Sequence, residues 1–116
     1  MIIIGLIGFG KMGKLRCDLL SSFKEVFVKS IYDPSTNNVS GKSVESSSNI
    51  IDDPEIDVIF ISTPNYLNKE LTIASLNKGK HVFCEKPPAL NSNEVEEIRL
   101  VEKKSGKILM YGFNHR

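Results

Sequence analysis

The sequence predicts an α/β protein with a doubly wound, mostly parallel sheet. Two observations carry this prediction. Short apolar, β-branched runs alternate with segments in which apolar residues recur at helical spacing. In addition, the glycine-rich segment Gly8-Phe9-Gly10-Lys11-Met12-Gly13 lies between the first apolar run and the first helical segment. That is the place of a phosphate-binding turn in such a sheet.

The first third of the chain supplies two clear strands. The apolar run 2–7 predicts the first strand, and 26–32 predicts the second. A polar stretch from Pro34 to Asn49 follows, and within it only Lys42 to Glu45 is a candidate third strand. Because a parallel crossover usually needs a dozen or more residues, we expect the second crossover helix to be shortened or missing.

The helix after the glycine turn is expected to cover the sheet with an apolar stripe. Its members recur at helical spacing: Met12, Leu15, Leu19, Leu20 and Phe23. The polar residues between them are expected to face outward: Lys14, Arg16, Asp18 and Ser21.

The remainder of the chain continues the alternation. The apolar run 57–62 predicts a central strand, and a helix over 67–78 is expected to end at Gly79. A short strand over 81–84, a helix ended by Gly106 and a last strand over 107–111 follow. With right-handed crossovers, the expected strand order is 3-2-1-4-5-6. Together with the glycine turn, this order predicts a Rossmann fold.

The glycine turn predicts a dinucleotide site, and Asp33 predicts which dinucleotide. Glycines allow the tight turn, the approach of backbone N–H groups to a pyrophosphate and close helix packing. Asp33 lies about 20 residues beyond the last glycine, where a carboxylate can bind the adenosine ribose diol. It would repel a 2′-phosphate, so NAD is favoured over NADP. The alternative is that Asp33-Pro34 is only a turn that ends the strand.

Composition restricts the remaining possibilities. The chain has 116 residues, 41% of them hydrophobic, and 15 basic residues against 14 acidic ones. These values suit a single globular domain and argue against a nucleic-acid-binding protein. No apolar run is long enough to span a membrane. Cys17 and Cys84 lack the spacing of a metal or redox pair, so we expect no metal site and two reduced thiols in a cytoplasmic protein.

Four separated segments resemble one family, the Gfo/Idh/MocA oxidoreductases. They are the glycine turn, Ser62-Thr63-Pro64-Asn65, the run from Gly79 to Glu85-Lys86-Pro87, and the run from Gly112 to Arg116. The resemblance covers nearly the whole chain. It implies hydride transfer between NAD(P) and a carbon–oxygen centre of a sugar, sugar derivative or cyclitol.

The resemblance also implies roles for individual residues. Lys86 is the expected catalytic residue, because its ammonium would reach the substrate hydroxyl and could polarise an alkoxide. Glu85 either binds the nicotinamide ribose or orients Lys86. The remaining cofactor contacts implied by the family pattern are Ser62, Thr63, Pro64, Asn65 and Asn114. Asn68 departs from the pattern, since relatives usually have a histidine there.

Members of the family follow this domain with a larger substrate-binding domain. The chain is therefore expected to be an N-terminal NAD(P)-binding domain, 1–116, inactive or nearly so alone, whose partners are a sugar-like small molecule and a second copy of itself. Two alternatives stay open: a dinucleotide-binding sensor without catalysis, and an interaction module that dimerises through apolar residues around 109–113.

Overall fold

The computed structural model describes residues 1–34, 42–63, 65–85 and 92–112, without the side chains of residues 65 and 66. Five strands and four helices lie within these ranges. The strands are β1 (Ile2–Ile7), β2 (Val26–Tyr32), β3 (Val58–Ile61), β4 (His81–Glu85) and β5 (Leu109–Gly112). The helices are α1 (Lys11–Leu20), α2 (Ser48–Ile51), α3 (Asn65–Asn77) and α4 (Ser92–Ser105).

The sheet is parallel throughout, in the order β2-β1-β3-β4-β5. This confirms the doubly wound α/β prediction. The chain leaves β1 toward β2 on one side and later returns to β3 on the other side. The order in which strands are added therefore reverses at β1. The carboxyl ends of β1 and β3 flank the crevice where such folds bind nucleotides.

The predicted third strand exists only as a single pair of residues. Ser43 forms an isolated parallel bridge with Ile31, on the outer side of β2. The predicted strand order therefore holds, with one bridge in its third position. The one-turn helix α2 lies within and beyond the polar stretch 34–49 and was not predicted, because two isoleucines after a run of serines give no helical period.

Two apolar clusters pack on the sheet. The larger one includes Ile50, Ile59 and Leu76, and residues of α2, α3 and α4 join it. The smaller one is formed by Ile4, Leu6, Val28 and Ile31, beneath α1.

The packing face of α1 differs from the prediction. Gly13 is buried, and Cys17 and Leu20 pack against the smaller cluster, whereas Leu15, Leu19 and Phe23 are 57%, 53% and 50% exposed. The helix is thus rotated so that its small residues meet the sheet. Arg16, predicted to face solvent, is half-buried as a consequence.

Charged groups organise the edge of the sheet opposite the crevice. Lys80 is buried, and its ammonium donates to the carbonyls of Asp53 and Ile56. Burial lowers the pKa of Lys80, while the hydrogen bond from Lys29 lowers the pKa of Asp53. These contacts hold the turn before β3 at this edge of the sheet.

Within the described ranges, none of the helices has the length and apolar character needed to cross a membrane.

The rotation of α1 predicts a contrast between two adjacent leucines. Leu20→Ala should lower the free energy of unfolding by about 2 kcal/mol, because it removes side-chain packing on the smaller cluster. Leu19→Ala should change it by less than about 0.5 kcal/mol, because Leu19 is exposed. Urea denaturation of both variants measures the difference. Equal losses, or a larger loss at Leu19, would contradict the orientation of α1.

Candidate functional site

The turn between β1 and α1 depends on a close approach at Gly8. Its φ of +98° lies in the region that favours glycine, and its N–H donates to the Tyr32 carbonyl at 2.7 Å. A Cβ there would lie 2.3 Å from the Ser62 carbonyl oxygen. The first glycine is therefore required by the contact between the ends of β1 and β3.

The other two glycines of the motif have different roles. A Cβ on Gly13 would lie 2.3 Å from the Gly8 carbonyl oxygen, so the third glycine lets α1 fold back onto the turn. A Cβ on Gly10 would meet no atom within 4 Å, and its φ is −76°. No contact with the described residues requires Gly10 to be a glycine. The space beside it lies at the N-terminus of α1, where free N–H groups attract an anion.

Asp33 lies at the carboxyl end of β2 and faces this turn. Its Oδ2 accepts a hydrogen bond from the Phe9 N–H at 2.6 Å. The carboxylate is thereby held at one side of the glycine turn, at the position predicted for the ribose ligand. The hydrogen bond joins residues 24 apart in sequence, so Asp33 also ties the end of β2 to the glycine turn.

A cleft of about 490 Å³ opens beside Asp33. Its described walls come from the ends of β1, β2 and β3, from α3 and from the segment before α2: Ile7, Gly8, Gly10, Tyr32, Asp33, Pro34, Ser47, Ser62, Thr63, Leu67 and Leu71. Sequence reasoning did not place Tyr32, Ser47, Leu67 or Leu71 here. Leu67 and Leu71 belong to the helix predicted over 67–78 and gave no sign of a site, and no local signal marks Ser47.

Asn68 joins the ends of β3 and β4. Its side-chain oxygen accepts from the Thr63 hydroxyl at 2.8 Å, and its Nδ2 donates to the Glu85 carbonyl at 3.3 Å. The side chain is 1% exposed. Asn68 is therefore part of the scaffold that fixes Thr63 beside the cleft.

The Glu85 side chain is held by α1. Its Oε2 accepts from Arg16 Nε at 2.7 Å, and the Arg16 guanidinium lies 4.8 Å from the centre of the Phe83 ring. Phe83 in turn stacks on Phe60, with 4.9 Å between ring centres. Nothing in the sequence indicated the contact between Arg16 and Glu85, because the two residues are 69 positions apart.

The described residues thus bring most of the predicted cofactor contacts to one edge of the sheet. Lys11 and Met12 form the first turn of α1, and Ser62 and Thr63 border the cleft. Pro64, Lys86, Asn114 and the Asn65 side chain lie outside the described residues. Their roles stay predictions.

Metal and thiol chemistry find no support at the described positions. Within the described ranges, no three histidine, cysteine or acidic side chains are grouped so that they could hold a metal ion. Both cysteines are free thiols, and burial raises the pKa of Cys84 to about 11, so that its thiolate is scarce at neutral pH. His81 accepts the Ile108 N–H with its Nδ1, as a structural residue at the start of β4.

Comparison with known proteins identifies the family. The model of an oxidoreductase family with an NAD-binding Rossmann fold, GFO_IDH_MocA, matches residues 2–113. The chain belongs to the Gfo/Idh/MocA oxidoreductases. It is accordingly an NAD(P)-binding Rossmann domain of that family.

Individual relatives are similar in sequence and structure. Myo-inositol 2-dehydrogenase of Thermotoga maritima is 31% identical over 97% of this chain and 36% of its own length. D-glucoside 3-dehydrogenase of Escherichia coli is 36% identical over 60% of this chain and 22% of its own. Biliverdin reductase of Synechocystis, solved with biliverdin and NADP⁺, superposes with a TM-score of 0.88 at 26% identity, over 95% of this chain and 37% of its own. The matched part of the chain therefore spans 22% to 37% of the length of these relatives.

Substitutions of Gly10 and Gly8 should have separable effects. Gly10→Ala should unfold like the wild type but bind NADH at least about tenfold more weakly, because its methyl group occupies the space of the pyrophosphate. Gly8→Ala should lose about 3 kcal/mol of stability or more, because it combines a positive φ with a backbone clash. Thermal unfolding measures the stability of each variant, and calorimetric titration measures its affinity for NADH. Wild-type affinity in folded Gly10→Ala would contradict the placement of the pyrophosphate.

Proposed function

We propose that this domain binds NAD(H) in preference to NADP(H) and serves hydride transfer at a carbon–oxygen centre of a sugar, sugar derivative or cyclitol. The observation that carries the proposal is the pairing of the Asp33 carboxylate with the Phe9 N–H, beside the space at Gly10. This pairing puts a hydrogen-bond acceptor at one end of a phosphate site. A dinucleotide requires that combination.

The preference for NAD follows from charge at the ribose end. The carboxylate of Asp33 suits a ribose diol, whereas it repels a 2′-phosphate. The described residues that line the cleft include no arginine or lysine that could neutralise such a phosphate. Because biliverdin reductase of Synechocystis was solved with NADP⁺, the preference rests on Asp33 and not on family membership.

The cleft next to Asp33 fits an adenine ring. Tyr32 and Pro34 line it from the end of β2, and Leu67 and Leu71 line it from α3. Apolar walls with a few polar groups are typical of nucleotide-base pockets. The adenosine half then lies over β2 and β1, which directs the nicotinamide half toward the ends of β3 and β4.

Lys86 directly follows β4 in sequence, and the end of β4 is the proposed side of the nicotinamide. We propose that the Lys86 ammonium donates a hydrogen bond to the substrate oxygen and stabilises the alkoxide that forms when solvent water takes the hydroxyl proton. When bound, the nicotinamide ring accepts or returns the hydride. The substrate class follows the names of the relatives, an inositol and a glucoside dehydrogenase.

Three further proposals complete this assignment. The domain works in the cytoplasm, consistent with its free thiols. It is expected to be joined to a substrate-binding domain, as the larger size of the relatives suggests. It is expected to form homo-oligomers, and Ile108 and Met110, both exposed near β5, are candidates for that contact.

The cofactor preference can be measured by calorimetric titration with NADH and NADPH. The wild type should bind NADH at least about tenfold more tightly, and Asp33→Ala should narrow or reverse that ratio, because the charge that repels a 2′-phosphate is gone. Asp18→Ala, which removes an exposed carboxylate of α1, is the matched control and should keep the ratio. Tighter binding of NADPH by the wild type, or no binding of either cofactor by folded protein, would contradict the proposal.

The chain alone should not turn over substrate. Incubated with NAD⁺ and a panel of hexoses, sugar phosphates and inositols, it should produce no NADH above the rate without protein, because catalysis needs a substrate held in a defined orientation. The absorbance of NADH measures the rate, and myo-inositol dehydrogenase of Thermotoga maritima serves as the positive control. Sugar-dependent NADH formation would show that these 116 residues hold their own substrate.

A further inference from the structure

We infer that Arg16 is a positioning residue for the nicotinamide half of the dinucleotide and acts through Glu85. The inference rests on the proposed binding mode, in which the adenosine half lies at β2 and the nicotinamide half at β3 and β4. Arg16 itself belongs to α1, the helix whose N-terminus faces the pyrophosphate.

The Glu85 carboxylate is confined on several sides. Arg16 donates to it through Nε at 2.7 Å, with Nη2 at 3.5 Å from the second oxygen. A Cβ on Gly112 would lie 2.8 Å from Oε1, so the carboxylate rests directly on the backbone of β5. Its main-chain carbonyl accepts from Asn68 at 3.3 Å. Both ends of the residue are therefore fixed at the point where β4 ends.

Burial makes the arginine necessary for this arrangement. The side chain of Glu85 is only 12% exposed and that of Arg16 24% exposed. A carboxylate in such a place is stable as a charge only while a partner compensates it. The guanidinium also rests on the Phe83 ring, which limits the directions from which it can donate. Without Arg16, the carboxylate would turn toward water.

The position of Arg16 links the two halves of the site. It follows Gly13 by three residues on α1, so the helix that presents N–H groups to the pyrophosphate also binds Glu85 at the end of β4. The lysine predicted to act on the substrate comes next in sequence after Glu85. Loss of the contact between Arg16 and Glu85 should therefore disturb the nicotinamide end of the site. The adenosine end, which Asp33 and the glycine turn hold, should stay unchanged.

The test compares two ligands on the same protein. NADH requires both ends of the site, whereas ADP requires only the adenosine and phosphate end. Arg16→Met should weaken NADH about fivefold to tenfold and change the affinity for ADP by less than about twofold. Arg16→Lys keeps the positive charge but lacks the planar guanidinium that donates two hydrogen bonds. Its affinity for NADH should lie between those of the wild type and Arg16→Met. Arg99→Met, on the exposed side of α4, is the matched control and should alter neither affinity.

A double variant tests the path through Glu85. Arg16→Met with Glu85→Gln should bind NADH no more weakly than the worse single variant, because both changes remove the same contact. The fluorescence emission of bound NADH reports the surroundings of the nicotinamide. It should shift in each single variant, and the double variant should add no further shift. If Arg16→Met does not fold, Arg16→Lys and Glu85→Gln decide the matter by the same ligand contrast.

The outcomes separate the two proposals. Wild-type protein that binds neither ligand would remove the dinucleotide site and this inference with it. Binding of both ligands by the wild type, followed by equal weakening of both in folded Arg16→Met, would overturn the inference alone. Unchanged NADH affinity in Arg16→Met would do the same.

Discussion

The contact between the ends of β1 and β3 is the constraint from which the rest of the site follows. The backbone of Gly8 lies so close to the Ser62 carbonyl that no side chain fits between them. That approach turns the chain sharply, starts α1 within a few residues of the sheet, and leaves the helix N-terminus facing the crevice. The result is a helix N-terminus whose backbone N–H groups face the crevice, the kind of group that binds anions in other proteins.

Two carboxylates then hold this turn and its helix from opposite sides. Asp33 at the end of β2 accepts from the Phe9 N–H, and Glu85 at the end of β4 accepts from Arg16. The glycine turn and α1 are therefore tied to the sheet on both sides. Each carboxylate stabilises the fold, and each is also a proposed ligand contact.

The sequence predicted the positions of strands and helices better than the side of a helix that packs on the sheet. Strands β1, β2 and β4 follow from short apolar runs, and the positive φ values of Gly79 and Gly106 confirm the two predicted helix ends. Leu20 of the predicted α1 stripe packs on the sheet, whereas Leu15, Leu19 and Phe23 do not. Helical spacing counts apolar residues but does not register the close approach at Gly13, which decides the side of α1 that faces the sheet. The contact between Arg16 and Glu85 was out of reach for a similar reason, since only the folded sheet brings α1 to β4.

The open space at Gly10 has a consequence for the evolution of such domains. Replacement of Gly8 or Gly13 is opposed by the fold itself, whereas at Gly10 the described structure offers no opposition. A domain that no longer bound a dinucleotide would be free to lose this glycine first. Glycine at this position is what the proposed dinucleotide site requires, and we expect its loss in relatives that keep the fold without the cofactor.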